Sequence, residues 1–206
     1  MAVAAFPLGP LGTNSYVIDK DKQAVAIDVG GDPEPVLDYL KTKSLSLVAI
    51  CITHLHFDHV YGVADLSKIT GAPVYAPEAD KPIEEFSKGG IWGMPPVPPF
   101  SWDPITLGKT SFGDMECVVL RTPGHTPGGI SLYFPEQKCV FTGDALFYRS
   151  LGRTDFPLGD YQLLLRSIHE TLFALPDDTI VYPGHGPATT IGDEKKFNPF
   201  CGEYAM

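Results

Sequence analysis

Apolar residues fall in short runs along most of this chain, and their spacing switches between strand-like and helix-like. Residues 1–6 are almost wholly apolar before Pro7-Leu-Gly-Pro10 and read as a first strand. Apolar residues 15–18 and 23–27 flank Asp19-Lys-Asp-Lys22, which predicts a hairpin. Asp28-Val-Gly-Gly31 ends its second strand. Residues 33–43 place Val36, Leu37 and Leu40 at helical spacing behind a proline that suits a first turn. Leu47-Val-Ala-Ile-Cys-Ile52 reads as a buried strand. A helix follows over about residues 60–70, closed by Gly71 as a C-cap, and then a strand at 73–76. Further strands are predicted at 115–121, 129–134, 138–142 and 179–182. A helix over 161–174 carries a stripe of Leu164, Leu165, Ile168, Leu172 and Leu175.

Residues 77–104 break this rhythm. Gly89 to Pro104 holds too much glycine and proline for regular structure, yet Trp92, Phe100 and Trp102 give it anchors. Two readings stand level: an ordered loop covering a site, or a packed surface loop or oligomer contact. On either side the order of elements repeats, strands and a helix followed by strands and a helix. This predicts an α/β fold of two similar halves, packed as a helix-covered sandwich in one domain over residues 1–206.

Composition narrows the function classes. Hydrophobic content of 44% and charged content of 19% are those of an ordinary globular chain. A formal charge of −10 disfavours nucleic acid, whose phosphates want a basic face. No apolar run approaches the roughly 18 residues of a membrane span, and the N-terminus lacks the basic start of a signal peptide. Cys51, Cys117, Cys139 and Cys201 form no CxxC pair; three lie in apolar strands and Cys201 is expected at the surface. A disulfide framework is therefore not expected, and a reducing cytoplasm is. The expected partner is a small-molecule substrate, with homo-oligomerisation left open.

The chemistry concentrates in Thr53-His-Leu-His-Phe-Asp-His59, directly after the 47–52 strand. Crowding three imidazoles and a carboxylate has little structural use, because each must be hydrated or hydrogen-bonded. A divalent metal gives all of them a purpose. His54 and His56, two apart in extended backbone, point to one side. Asp58 and His59 open a turn, expected to start a helix, and face a neighbouring point. That geometry suggests two adjacent metals. Three more ligand-type residues sit in glycine-bearing turns just after strands: His125 in Thr122-Pro-Gly-His, Asp144 in Thr142-Gly-Asp and His185 in Tyr182-Pro-Gly-His. His169, on the 161–174 helix, reads as structural or solvated.

Together, Thr-His-x-His-x-Asp-His, a later Gly-His, a Thr-Gly-Asp and a final Gly-His resemble the metallo-β-lactamase superfamily over nearly the whole chain. That resemblance implies a four-layer αββα sandwich with its metal site at one edge. It also implies one metal on His54, His56 and His125, a second on Asp58, His59 and His185, and Asp144 bridging both. The cofactors implied are two divalent ions, zinc first, with iron or manganese as alternatives. Two such ions about 3.5–4 Å apart share a hydroxide of lowered pKa and polarise a carbonyl. Attack by that hydroxide, oriented by Asp58, would hydrolyse the substrate. No dedicated acid for an amine leaving group is evident, which favours a thioester or ester over an amide, since a thiolate leaves more easily.

Residues 143–156, with Gly152-Arg-Thr-Asp-Phe156, and the 184–200 tail resemble the short bacterial members of the glyoxalase II-like branch. The implied reaction is hydrolysis of S-lactoylglutathione or a related small acyl thioester. Two departures bear on glutathione itself. The C-terminal helical domain of the full-length enzyme is not expected here, and Gly-Arg153-Thr-Asp replaces a glutathione-holding Gly-Lys-Phe-Tyr. Arg153 is a candidate contact for a substrate carboxylate, or a loop-holding partner of Asp155. Tyr148 is a candidate for the pocket wall, and Asp28 for capping a turn beneath the site. The alternative on the same fold is a persulfide dioxygenase using one iron on His54, His125 and Asp144.

Overall fold

The computed structural model describes residues 2–88, 96–203 and 205, with backbone alone at 86–88. The chain divides into two compact units, Met1–Ile105 with Ser111–Met115, and Thr106–Thr110 with Glu116–Met206.

In the first unit, β1 (Ala2–Leu8), β2 (Thr13–Lys20), β3 (Gln23–Ile27), β4 (Ser46–Cys51), β5 (Val74–Ala76) and β6 (Asp103–Pro104) form one sheet in that order. The first two pairings are antiparallel and the other three parallel. The β2–β3 turn needs only Asp21 and Lys22, both with positive φ (47° and 71°), the hairpin geometry that matches strand twist. Helix α1 (Glu34–Lys43) begins after Pro33 and ends on Ser44 in the left-handed region. Val17, Ile50, Ile52, Val63 and Leu66 lie in this unit's core.

The helix expected over 60–70 is two pieces, α2 (Phe57–Val60) and α3 (Val63–Thr70). In an unbroken helix the His59 carbonyl would accept from Val63. Here it accepts from the N–H of Val29 at 2.8 Å, and the Gly62 N–H returns to the Val29 carbonyl at 2.8 Å. A side chain at position 62 would run into the Gly31 carbonyl oxygen, so the strap requires glycine. It fixes the stretch bearing Asp58 and His59 to the end of β3.

Residues 77–88 also depart from the irregular loop expected there. Glu78–Asp80 is a 3₁₀ turn that runs into α4 (Lys81–Lys88). Val97, Phe100 and Trp102 pack against the first unit's core, in line with the packed-loop reading. Trp92 and the rest of 89–95 lie outside the described residues.

The second sheet runs β14 (Thr189–Thr190), β13 (Ile180–Pro183), β10 (Cys139–Gly143), β9 (Ile130–Phe134), β8 (Met115–Arg121), β7 (Gly108–Phe112). β8 and β10 each pair antiparallel with β9, so they run the same way, and β10 is parallel to β13. Three strands thus end at one edge of this sheet. A small hairpin joins β11 (Leu146–Phe147) and β12 (Ser150–Leu151).

Helix α5 (Tyr161–Ser167) is capped by Asp160, whose side chain accepts from the Leu163 N–H at 2.9 Å. It continues as a π turn, Ile168–Leu172, where Phe173 N–H reaches the Ile168 carbonyl. Gly124, at φ 131°, lets the start of α5 approach the turn before His125, since a Cβ there would meet Leu164 backbone. The last helix is α6 (Ile191–Phe197), capped by Thr190. Strands β7, β11, β12 and β14 and helix α6 carry no pattern that predicted them. Among the described residues, no helix is long and apolar enough to cross a membrane.

Candidate metal centre

In the first unit, parallel strands β3 and β4 end side by side and supply the site's support and its donors. Asp28, just past β3, is 2% exposed and sits at φ 52°. Its Oδ1 accepts from the Thr53 N–H at 2.8 Å. Its Oδ2 accepts from the Thr53 hydroxyl and from His59 Nδ1, each at 2.8 Å. Thr53, having given its proton to Asp28, receives one from His54 Nδ1 at 3.0 Å. One carboxylate thus sets the tautomer of two rings, His59 directly and His54 through Thr53, and leaves Nε2 of both as the nitrogen that could ligate a metal. The sequence reading gave Asp28 only a turn-capping part.

The donors lie close together. His54 packs against His56 with ring centroids 4.8 Å apart and against His59 at 4.1 Å. Asp58 Oδ2 accepts from the buried Thr13 hydroxyl at 2.8 Å and lies 3.7 Å from His59 Nε2. Buried Asp80 accepts from the Leu55 N–H at 3.1 Å, pinning the backbone between His54 and His56. Thr13 and Asp80 were absent from the sequence reading, and Thr53 entered it only as the first residue of the motif, with no role of its own. Only Thr53, as the neighbour of His54, carried a signal.

In the second unit, His125 follows β8, Asp144 follows β10 and His185 follows β13. His125 Nδ1 donates to the Arg153 carbonyl at 2.6 Å, so Nε2 is the nitrogen that could ligate a metal. That nitrogen lies 3.6 Å from Asp144 Oδ2, and His185 Nε2 lies 3.6 Å from the same oxygen. These separations are long for hydrogen bonds. They resemble the roughly 3.3 Å between two ligands that each sit about 2.0–2.1 Å from one tetrahedral ion. Imidazole nitrogen and carboxylate oxygen suit zinc, iron or manganese, so the donors in each unit fit a divalent ion. Phe147 meets the His185 ring edge-on at 6.0 Å, and Phe156 meets His125 at 6.4 Å.

Arg153 grips Asp155 with Nε and Nη2, both at 2.6 Å, while its guanidinium lies 4.1 Å from the Phe156 ring centre. That pairing holds the Arg153 guanidinium above, and the exposed Asp155 carboxyl below, their usual pKa values. Tyr148 is half-exposed beneath the Arg149 guanidinium. His169 donates to the Cys201 carbonyl at 2.8 Å and stacks on Phe173, a structural role as expected. Cys201 is buried, against expectation, because the chain folds back there onto the second unit's core. Burial first, and nearby Glu194 second, push its thiol up to about 12. All four cysteines are free thiols and buried.

Comparison with known proteins supplies the family. The metallo-beta-lactamase superfamily profile matches residues 8–185. The hydroxyacylglutathione hydrolase GloC of Haemophilus influenzae is 37% identical over 192 residues, 90% of this chain and 91% of that protein. The BLEG-1 B3 metallo-beta-lactamase structure superposes with TM-score 0.89 at 38% identity, covering 97% of this chain and 99% of its own. TTHA1623, in a di-iron-bound form, superposes with TM-score 0.86 at 41% identity, covering 96% and 99%. The fold class read from the sequence holds, and the chain belongs to the metallo-β-lactamase superfamily as a metal-dependent hydrolase.

Proposed function

We propose that this chain is a two-metal hydrolase of a small acyl thioester, S-lactoylglutathione or a close relative, acting as one catalytic domain. The observation that carries the reading is the orientation of the rings. Nδ1 of His54, His59 and His125 is each committed to a hydrogen bond, so each ring would offer Nε2 as a ligand, that of His59 beside Asp58 and that of His125 beside Asp144. His54, His56 and His125 would hold one ion, Asp58, His59 and His185 the other, and Asp144 both. When bound, such a pair supplies an acidified water and a Lewis acid for the carbonyl. The di-iron form of TTHA1623 supports a pair of ions and strengthens iron among the candidates beside zinc and manganese.

The chain's own residues do the positioning. Asp58, whose Oδ2 accepts from Thr13 and lies 3.7 Å from His59 Nε2, is the residue we assign to orient the attacking water. Arg153 and Tyr148 are the side chains we assign to the substrate. Swinging from Asp155 to a substrate carboxylate would exchange one bidentate partner for another. A thiolate leaves without a strong acid, and none stands among the described residues of either cluster. The activity named for the GloC relative supports the thioester. Four buried free thiols suit a reducing cytoplasm.

A substrate panel decides the class. We expect hydrolysis of S-lactoylglutathione or another thioester, abolished by a chelator and restored by zinc, iron or manganese. Cleavage of β-lactams with no thioesterase activity would overturn the reading. So would oxygen uptake on glutathione persulfide with one iron per chain, the outcome that the Gly152–Phe156 segment keeps as the alternative.

A further inference from the structure

The carboxylate of Glu194 is wholly buried on α6, a helix whose Glu-Lys-Lys sequence reads as a solvated face. Four donors converge on it. Oε1 accepts from Arg149 Nη1 at 2.6 Å and from the Thr189 hydroxyl at 2.7 Å. Oε2 accepts from the Arg149 N–H at 2.9 Å and from Asn198 Nδ2 at 2.8 Å. The Asn198 amide also reaches the Ser150 carbonyl at 3.0 Å, and Arg149 Nη1 reaches the Asp193 carbonyl at 3.0 Å.

Four of these six hydrogen bonds close on one object, the β11–β12 hairpin, through Arg149 and Ser150. Its turn residue Arg149 lies at φ 54°, a position where glycine is the ordinary choice. Glu194 holds it there by backbone and side chain at once, with the guanidinium between the rings of Tyr148 and Phe197. The hairpin joins two parts of the candidate centre. Asp144 lies two residues before β11, and Arg153, whose carbonyl fixes His125, lies two residues after β12. Phe147, on β11 itself, is the ring against His185.

We propose that Glu194, with Arg149 and Asn198, is a positioning clamp that sets the ligand geometry of His125, Asp144 and His185 through this hairpin. The inference rests on the metal-centre reading above. Loosening the clamp lets Arg153 drift from His125 and Asp144 from its neighbours, which weakens the ions without touching a ligand.

Cobalt(II) titration of the metal-free chain, read by its d–d absorption, tests this. Glu194→Gln keeps the shape but puts an amide where two donors need an acceptor. Thr190→Ala removes the cap of the same helix without touching the clamp. We expect Glu194→Gln to need ten- to a hundred-fold more cobalt than the wild type and to show altered bands. Thr190→Ala should titrate like the wild type, and the metal-loaded Glu194→Gln protein should lose kcat more than KM. If Glu194→Gln does not fold, Arg149→Gly decides in the same way, since it suits the positive φ and deletes the guanidinium. A folded clamp variant that titrates like Thr190→Ala overturns the clamp alone. Absence of cobalt binding by the wild type overturns the metal reading and the clamp with it.

Discussion

Asp58→Ala and His54→Ala should each lower thioester kcat/KM by roughly a thousand-fold or more, about 4 kcal/mol of transition-state stabilisation. The two should differ in kind. His54→Ala removes a ligand, so metal content falls with activity. Asp58→Ala removes a ligand that also orients the attacking water, so activity stays low even when excess metal refills the site. Neither should unfold the protein: Asp58→Ala leaves the Thr13 hydroxyl without its acceptor, a loss of about 1 kcal/mol, or a few degrees in Tm. Steady-state kinetics with metal analysis on the same samples checks both variants. Wild-type rates in either would refute the assignment of these residues.

The second large effect belongs to a residue that would touch no metal. Asp28→Ala strands the Thr53 N–H, the Thr53 hydroxyl and the His59 Nδ1–H together, and places alanine at φ 52°. A cost of about 3–5 kcal/mol is expected, enough to lower Tm by about 10 °C in a chain of this size. Asp28→Asn is the sharper probe, because asparagine tolerates positive φ and preserves the shape. Its amide must meet a donor on one side, Thr53 N–H or the Thr53–His59 pair. Facing that pair, it drives His59 toward the tautomer with its proton on Nε2, which cannot ligate. Metal affinity should drop ten- to a hundred-fold with about 1–3 kcal/mol of stability lost. Competition against a chromophoric chelator and thermal melts of the metal-free protein separate the two losses. Unchanged metal affinity in Asp28→Asn would show that the carboxylate serves the fold only.

The contrast between these residues shows what the sequence could and could not announce. The seven candidate ligands were legible because each is a metal-grade side chain within a few residues of the end of an apolar strand, Asp58 and His59 on the short α2. The topology explains the grouping within each unit: β8, β10 and β13 run the same way in the second sheet, and β3 and β4 run the same way in the first. Asp28 was legible as a strand-end residue but not as the support of two imidazoles, because Thr53 and His59 lie 25 and 31 residues further on. Such pairings exist only once β3 and β4 lie side by side. The break at Tyr61 and Gly62 has the same origin. Local spacing asked for one helix, and hydrogen bonds to Val29 divided it. Glu194 was hidden by its company, since charged neighbours on a short helix read as a wet face, while Arg149, which meets both its oxygens, lies 45 residues away. Cys201 was misplaced for a like reason, its burial set by the fold-back onto the second unit's core rather than by an apolar run.

The proposed centre holds two ions on His54, His56, Asp58, His59, His125, Asp144 and His185. Elemental analysis of the freshly purified chain, per mole of protein, tests it most directly. Two divalent ions per chain in the wild type, falling on replacement of Asp144 by alanine, is the predicted result. A wild-type chain that saturates at a single ion, or holds none after incubation with zinc, iron and manganese, would contradict it.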